Sequence, residues 1–135
     1  MSLMRPHTWA RWIYAVLGAG SVANGLWMLA APAHWFATIP GAADTGPFNP
    51  HLVRDYGICY LIVGAALLVG LARGFPYDLH LVVTAFFTGH ALLHVWDILA
   101  GRLAAHHWTM DFPGVFLPAL LLLVMSLRFA WERKP

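Results

Sequence analysis

The sequence predicts an all-α integral membrane protein, a single bundle of four antiparallel helices with both termini in the cytoplasm. Three observations carry this expectation. First, the 135 residues are 60% hydrophobic and only 10% charged, with a mean hydropathy of +0.65, whereas soluble domains carry about 25% charged residues. Second, the apolar residues fall into four segments, at 9–31, 52–72, 79–100 and 115–131. Each is close to the roughly 20 residues that cross a hydrocarbon core. Backbone groups in lipid must bond internally, so such segments are helices. Third, four spans put Arg5, Arg11, Arg73, Arg128, Arg133 and Lys134 on one side and only Arg54 and Arg102 on the other. The positive-inside rule assigns the richer side to the cytoplasm. Trp9, Trp12 and Trp131 then form an inner aromatic belt, and Trp35, Trp96 and Trp108 an outer one. The length suits one domain, residues 1–135.

The first segment follows Arg5 and carries Arg11. Its apolar run exceeds the roughly 7–15 residues of a signal-peptide core, so it is expected to stay as a span. Gly18, Gly20, Ser21, Ala23 and Gly25 crowd it, and Gly57, Gly64, Ala65 and Ala66 mark the second segment. Small residues let membrane helices approach closely. Residues 32–50 form a long connection, expected to open with a short interfacial helix placing Trp35, Phe36 and Ile39 toward lipid. Its Pro-Gly-rich remainder reads as turns. Asn49 before Pro50 reads as a helix cap, as do Asp78 for the third helix and Asp111 for the fourth. The fourth segment has no ionisable group at its centre and reads as lipid-facing scaffold, kinked at Pro118.

The third segment carries His90, His94 and Asp97, spaced i, i+4, i+7, on one helical face. Ionisable groups inside a span are costly and face a partner, cavity or ligand. Beside them on the outer side come His51, Arg54, Asp55 and Asp111, the expected lining of an outward-facing polar pocket. His51 and Asp55 are i, i+4 neighbours. The second and third helices run oppositely, so His51, Asp55, His94 and Asp97 are expected to converge, and these four are the expected metal ligands. His34, His106 and His107 sit in the two outer loops as lid residues. Asp97 ends a helix, where the macrodipole disfavours a carboxylate, so a cation must lie nearby. Arg54 is the first expectation, Arg102 the second, a metal the third.

His-x-x-x-His with carboxylates suits zinc, iron or copper. Ala91 follows His90 where a zinc-protease helix would have glutamate. A bis-histidine haem is not expected, because the fourth helix offers no histidine. One cysteine, Cys59, excludes an intrachain disulfide and a four-cysteine zinc site. A net charge of +2 with dispersed basic residues argues against nucleic-acid binding.

Three stretches carry a resemblance: His51-Leu-Val-Arg-Asp-Tyr-Gly57, Gly89-His-Ala-Leu-Leu-His-Val-Trp-Asp97 and Asp111-Phe-Pro-Gly-Val-Phe-Leu-Pro118. In layout, across nearly the whole chain, these helices resemble the DoxX-like group of small bacterial membrane proteins. Some of that group are subunits of quinone-linked oxidoreductases. The resemblance implies a bacterial inner-membrane location, and a quinone or a membrane-complex partner. It carries over no catalytic residue.

Two functions of different class follow. One is a membrane protein binding a metal ion or small polar ligand in the outward pocket. As an enzyme it would use His94 as base or metal ligand, with Asp97 or Asp55 orienting it. The other is an accessory or structural subunit of a membrane complex, or a homo-oligomer, whose polar cluster locks the helices. A transporter is not expected, because no inverted repeat is visible and the cytoplasmic half lacks an ionisable path.

Overall fold

The computed structural model describes residues 8–74 and 76–132. Arg5, Arg133 and Lys134 of the charge count lie outside the described residues, as does the side chain of Trp131 from the inner belt. Six α-helices follow in order: α1 Thr8–Ala30, α2 Pro32–Thr38, α3 Pro50–Arg73, α4 Tyr77–Leu99, α5 His107–Met110 and α6 Leu117–Glu132. A 3-10 turn spans Ala42–Thr45, and a π-helical turn, Phe112–Phe116, runs into α6. No β-strand occurs among the described residues.

α1, α3, α4 and the stretch Phe112–Phe129 are each long and apolar enough to cross a membrane. Only 22–28% of each apolar window is buried within the protein. Large apolar side chains such as Val16, Ile62, Val82 and Leu127 point outward at 63–72% exposure. A water-soluble bundle of this size would not leave such a continuous apolar surface; a hydrocarbon solvent accounts for it.

The helix ends follow local chemistry, with two departures from expectation. Asn49 caps α3 as expected, its side chain accepting from the backbone N–H of His51 and Leu52. Asp78 does not cap α4. Pro76 holds that position and no side chain bonds there, while Asp78 lies within the first turn, where the dipole still favours it. Asp111 precedes the π-helical turn without a side-chain cap bond; its carboxylate is engaged elsewhere. Its carbonyl oxygen accepts from Val115 N at 2.8 Å and Phe116 N at 3.4 Å. The irregularity near Pro118 is thus this wide turn. Proline has no N–H for the preceding carbonyl, and a π-helical turn is a common way for a helix to absorb such a gap.

α1 and α3 approach through their glycines. A Cβ on Gly25 would stand 2.6 Å from the Gly57 carbonyl oxygen, and one on Gly64 would stand 2.8 Å from Val22 N. As α1 advances from Gly18 to Gly25, its partner on α3 recedes from Gly64 to Gly57. With no side chain between them, backbones pack directly, as small-residue interfaces in membranes do. This face of α3 carries Val53, Gly57 and Gly64, all buried. It therefore turns His51 and Asp55 to the opposite side.

The remaining core is shared by all four spans, with Leu67, Phe87, Leu122 and Phe129 at its centre. Two polar side chains of α4, His80 and Thr84, are buried beside it. His80 of α4 is 1% exposed. Its Nδ1 lies 2.6 Å from Tyr14 Oη of α1 and its Nε2 lies 2.8 Å from Ser126 Oγ of α6. Ser126 donates its hydroxyl to the Leu122 carbonyl at 3.0 Å. A neutral ring with its proton on Nε2 satisfies every partner: Nε2–H donates to Ser126, and Tyr14 donates to Nδ1. Sequence reasoning found neither Tyr14 nor Ser126 as its partners.

Candidate functional site

The end of α4 and the connections after α1 and α4 hold a chain of alternating histidines and carboxylates. Asp111 is at its centre and is buried. Its Oδ2 lies 2.7 Å from His94 Nδ1 and 3.0 Å from His107 Nδ1. Oxygen accepts and nitrogen donates, so both imidazoles carry a proton on Nδ1. The far nitrogen of His107, Nε2, lies 3.2 Å from Asp44 Oδ2. His106 Nε2 lies 4.0 Å from the same oxygen. Inward from His94, the His90 ring lies 4.8 Å away between centroids and meets Tyr60 edge-on.

Local structure explains each placement. His94 lies in the second half of α4. His107 opens the four-residue α5, and Asp111 follows it at i+4, its N–H bonding the His107 carbonyl at 3.0 Å. That spacing brings the Asp111 carboxylate back over the His107 ring. Asp44 comes from the 3-10 turn of the first loop, 63 residues away in sequence. Gly41 admits this approach. Its φ is +78°, and a Cβ there would stand 2.7 Å from His107 Cε1 and 2.9 Å from Met110 Sδ. Only glycine tolerates both the left-handed backbone and the contact.

The structure brings together only part of the expected set. His94, Asp111 and His107 join directly, with His90 edge-on behind His94 and His106 at the rim. His51 and Asp55 pair at 3.3 Å on the open side of α3, with side chains 87% and 55% exposed. They do not converge with His94. The carboxylate orienting His94 is Asp111, in place of the expected Asp97 or Asp55. Asp97 bonds Arg102 at 3.0 Å, so the second-choice cation is its partner and the first-choice Arg54 is not. The reason is local. The Arg102 and Leu103 N–H groups fold back onto the Asp97 carbonyl at 2.8 and 3.1 Å, which carries the Arg102 guanidinium to the same helix end. Arg54 instead reaches the Leu29 carbonyl at the end of α1, with Nε 3.5 Å away. A cation is favoured there by that helix's dipole. The Asp97–Arg102 pair is partly solvated, and such pairs contribute about 0–1 kcal/mol.

The loop residues also sort unequally. His107, expected in a lid, is 1% exposed and central. His34 accepts from Trp27 Nε1 at 3.1 Å and takes no part. Trp35 of α2 donates to Asn24 Oδ1 at 2.8 Å, so its indole is turned partly inward instead of into lipid alone. Gly89 meets nothing within 4 Å of where a Cβ would stand, so it serves no helix contact. Asp44 was the residue sequence reasoning missed. Its one signal was being an acidic side chain in the outer loop opposite the His106-His107 pair.

Chemically, the His107–Asp44 contact is unusual. With Nδ1–H committed to Asp111, a neutral His107 presents a lone pair at Nε2 to a carboxylate oxygen. The pair of carboxylates is met either by an imidazolium that donates from both nitrogens or by a neutral ring with a metal cation between Nε2 and Asp44. No family model, curated protein or solved structure matches the chain.

Proposed function

We propose that this chain is a multi-pass protein of the bacterial inner membrane whose outward-facing His/Asp cluster binds a metal cation. The observation that carries the reading is the meeting of His107 Nε2 and Asp44 Oδ2 at 3.2 Å while Asp111 holds the other nitrogen. A carboxylate on the far nitrogen of an imidazole is the arrangement that orients metal-ligating histidines. Elemental analysis of the detergent-purified protein, as isolated and after equilibration with zinc, tests it. About one transition-metal equivalent per chain is expected, as for a single site built from one donor set. A protein that neither retains nor takes up metal would favour the second reading.

That second reading is an accessory or structural subunit of a membrane complex, with the cluster as a helix-locking network. What favours it is that the hydrogen bonds run between members of the cluster, joining α4, the third connection and the first. A quinone-linked partner rests on the resemblance in layout alone.

The orientation supporting either reading is an antiparallel bundle with both termini cytoplasmic. The six-to-two division of basic residues favours it, as does the opposed progression of the glycine contacts between α1 and α3. Cys59 is exposed, so labelling needs a Cys59→Ser background. In intact cells an impermeant thiol reagent is expected to modify Ala43→Cys and to spare Asp78→Cys. Modification of Asp78→Cys from outside would overturn the orientation.

A further inference from the structure

The proposed cation-binding reading leaves open which atoms hold the ion, and the first expectation from sequence placed them at His51, Asp55, His94 and Asp97. We propose instead a three-ligand, zinc-type centre made by Asp44, His106 and His107, with a fourth position open to the outer aqueous side. The inference rests on the cation-binding reading and specifies its atoms, its metal class and its open position.

The donor atoms of these three residues all lie within 4.8 Å of one another. In a tetrahedral zinc site, bonds of about 2.0–2.2 Å place neighbouring ligand atoms roughly 3.3 Å apart. The His107 to Asp44 separation of 3.2 Å already meets this. The His106 to Asp44 separation of 4.0 Å needs a contraction of under an ångström, and the His106 to His107 pair, within 4.8 Å, one of at most about 1.5 Å. Asp44 and His106 side chains are 54% and 57% exposed and can adjust, whereas His107 is 1% exposed and fixed.

The orienting shell is already assembled. Asp111 accepts from His107 Nδ1 at 3.0 Å and is itself held by His94 at 2.7 Å. This fixes the tautomer that leaves Nε2 as a ligand lone pair. The expected set has no equivalent. His94 shares the orienting Asp111, but the other three do not join it: His51 and Asp55 form an isolated exposed pair and Asp97 is taken by Arg102.

The donor chemistry selects the metal class. Two imidazole nitrogens and one carboxylate suit zinc and neighbouring divalent transition ions. Calcium and magnesium prefer all-oxygen shells. Three protein ligands leave one position for water or an exogenous anion, the composition of zinc sites that exchange a ligand. The two exposed ligands leave that position facing water. The ion would also join the first and third connections, whose ligands are 63 residues apart.

Cobalt(II) titration of the full-length protein in detergent tests this, because cobalt reports its coordination in visible absorption. Wild type is expected to give the intense bands of a four- or five-coordinate ion, displaced by zinc and shifted by added thiocyanate. His106→Ala and Asp44→Asn should each weaken binding by about 100-fold or more, beyond the 10–100-fold typical of orienting residues. Both side chains are exposed, so the variants are expected to keep wild-type thermal unfolding without metal. His51→Ala and Asp97→Asn should bind cobalt as wild type does. Wild-type affinity in His106→Ala and Asp44→Asn would overturn this site while leaving the cation-binding reading intact. A spectrum insensitive to thiocyanate would overturn the open position. Failure of the wild-type protein to bind either metal would overturn both readings together.

Discussion

Replacing Asp111 with alanine is expected to lower the unfolding free energy by roughly 2–6 kcal/mol, about 1–3 kcal/mol for each of two donors left without an acceptor. One oxygen of Asp111 serves two histidines, at 2.7 and 3.0 Å, and the residue is 7% exposed. Bonds to a charged acceptor contribute about 1.5–3 kcal/mol each, and a buried donor left alone costs its full desolvation. Two such donors would be stranded at once. Neutral polar contacts between membrane helices average only about 0.6 kcal/mol, so the charge and the double acceptance decide the size. Asp55→Ala is the matched control, a carboxylate 55% exposed in an i, i+4 pair, and its cost should stay within about 0–1 kcal/mol. Urea or thermal unfolding in detergent reads both. Equal, small effects from the two variants would mean that the cluster is solvated and does not hold the loops.

Placing alanine at Gly25 is the second large effect. The new Cβ would stand 2.6 Å from the Gly57 carbonyl oxygen and 2.9 Å from Leu61 N. Both obstacles are backbone, so no rotamer change relieves the contact, and α1 must move away from α3. Overpacking of this kind costs roughly 1–3 kcal/mol, occasionally more. Gly20 lies on the same helix with nothing within 4 Å. Gly20→Ala should be neutral or stabilising by up to about 1 kcal/mol, from helix propensity alone. Gly25→Ala matching Gly20→Ala in stability would show that the two helices are not in backbone contact.

Much of the fold was legible because membrane spans are written in long apolar runs. The four segments emerged within a few residues of their observed bounds, and the short helix after Ala31 and the Asn49 cap were visible in local chemistry. The candidate site was legible only in part. The helical stripe located His94, and the loops supplied His106, His107 and Asp111. Which of them meet could not be read, because that depends on how α3 rotates. Its glycines commit one face to α1, and His51 and Asp55 are carried away with the other. Asp97 was rightly expected to have a cation, but a fold-back of the chain after α4 brings Arg102 closer than any neighbouring helix brings Arg54. Asp44 depends on a left-handed Gly41, a feature that sequence marks only as a turn. Tyr14 and Ser126 were missed because each is an ordinary residue in its own helix. Only their shared depth with His80 gives them meaning.

That buried trio has a consequence for how the helices find their axial positions. In lipid, one leucine surface is nearly as good as another, so apolar packing alone discriminates poorly between a helix and the same helix shifted along its axis. The contacts of His80 with Tyr14 and Ser126, at 2.6 and 2.8 Å, discriminate sharply. Sliding α6 by one residue would swing Ser126 by about 100° around its axis and leave the imidazole N–H only the more distant Thr84 hydroxyl, at 3.4 Å. A neutral histidine thus indexes three helices against one another without placing a charge in the membrane. The charged fastening is kept for the opposite end, where water can reach it.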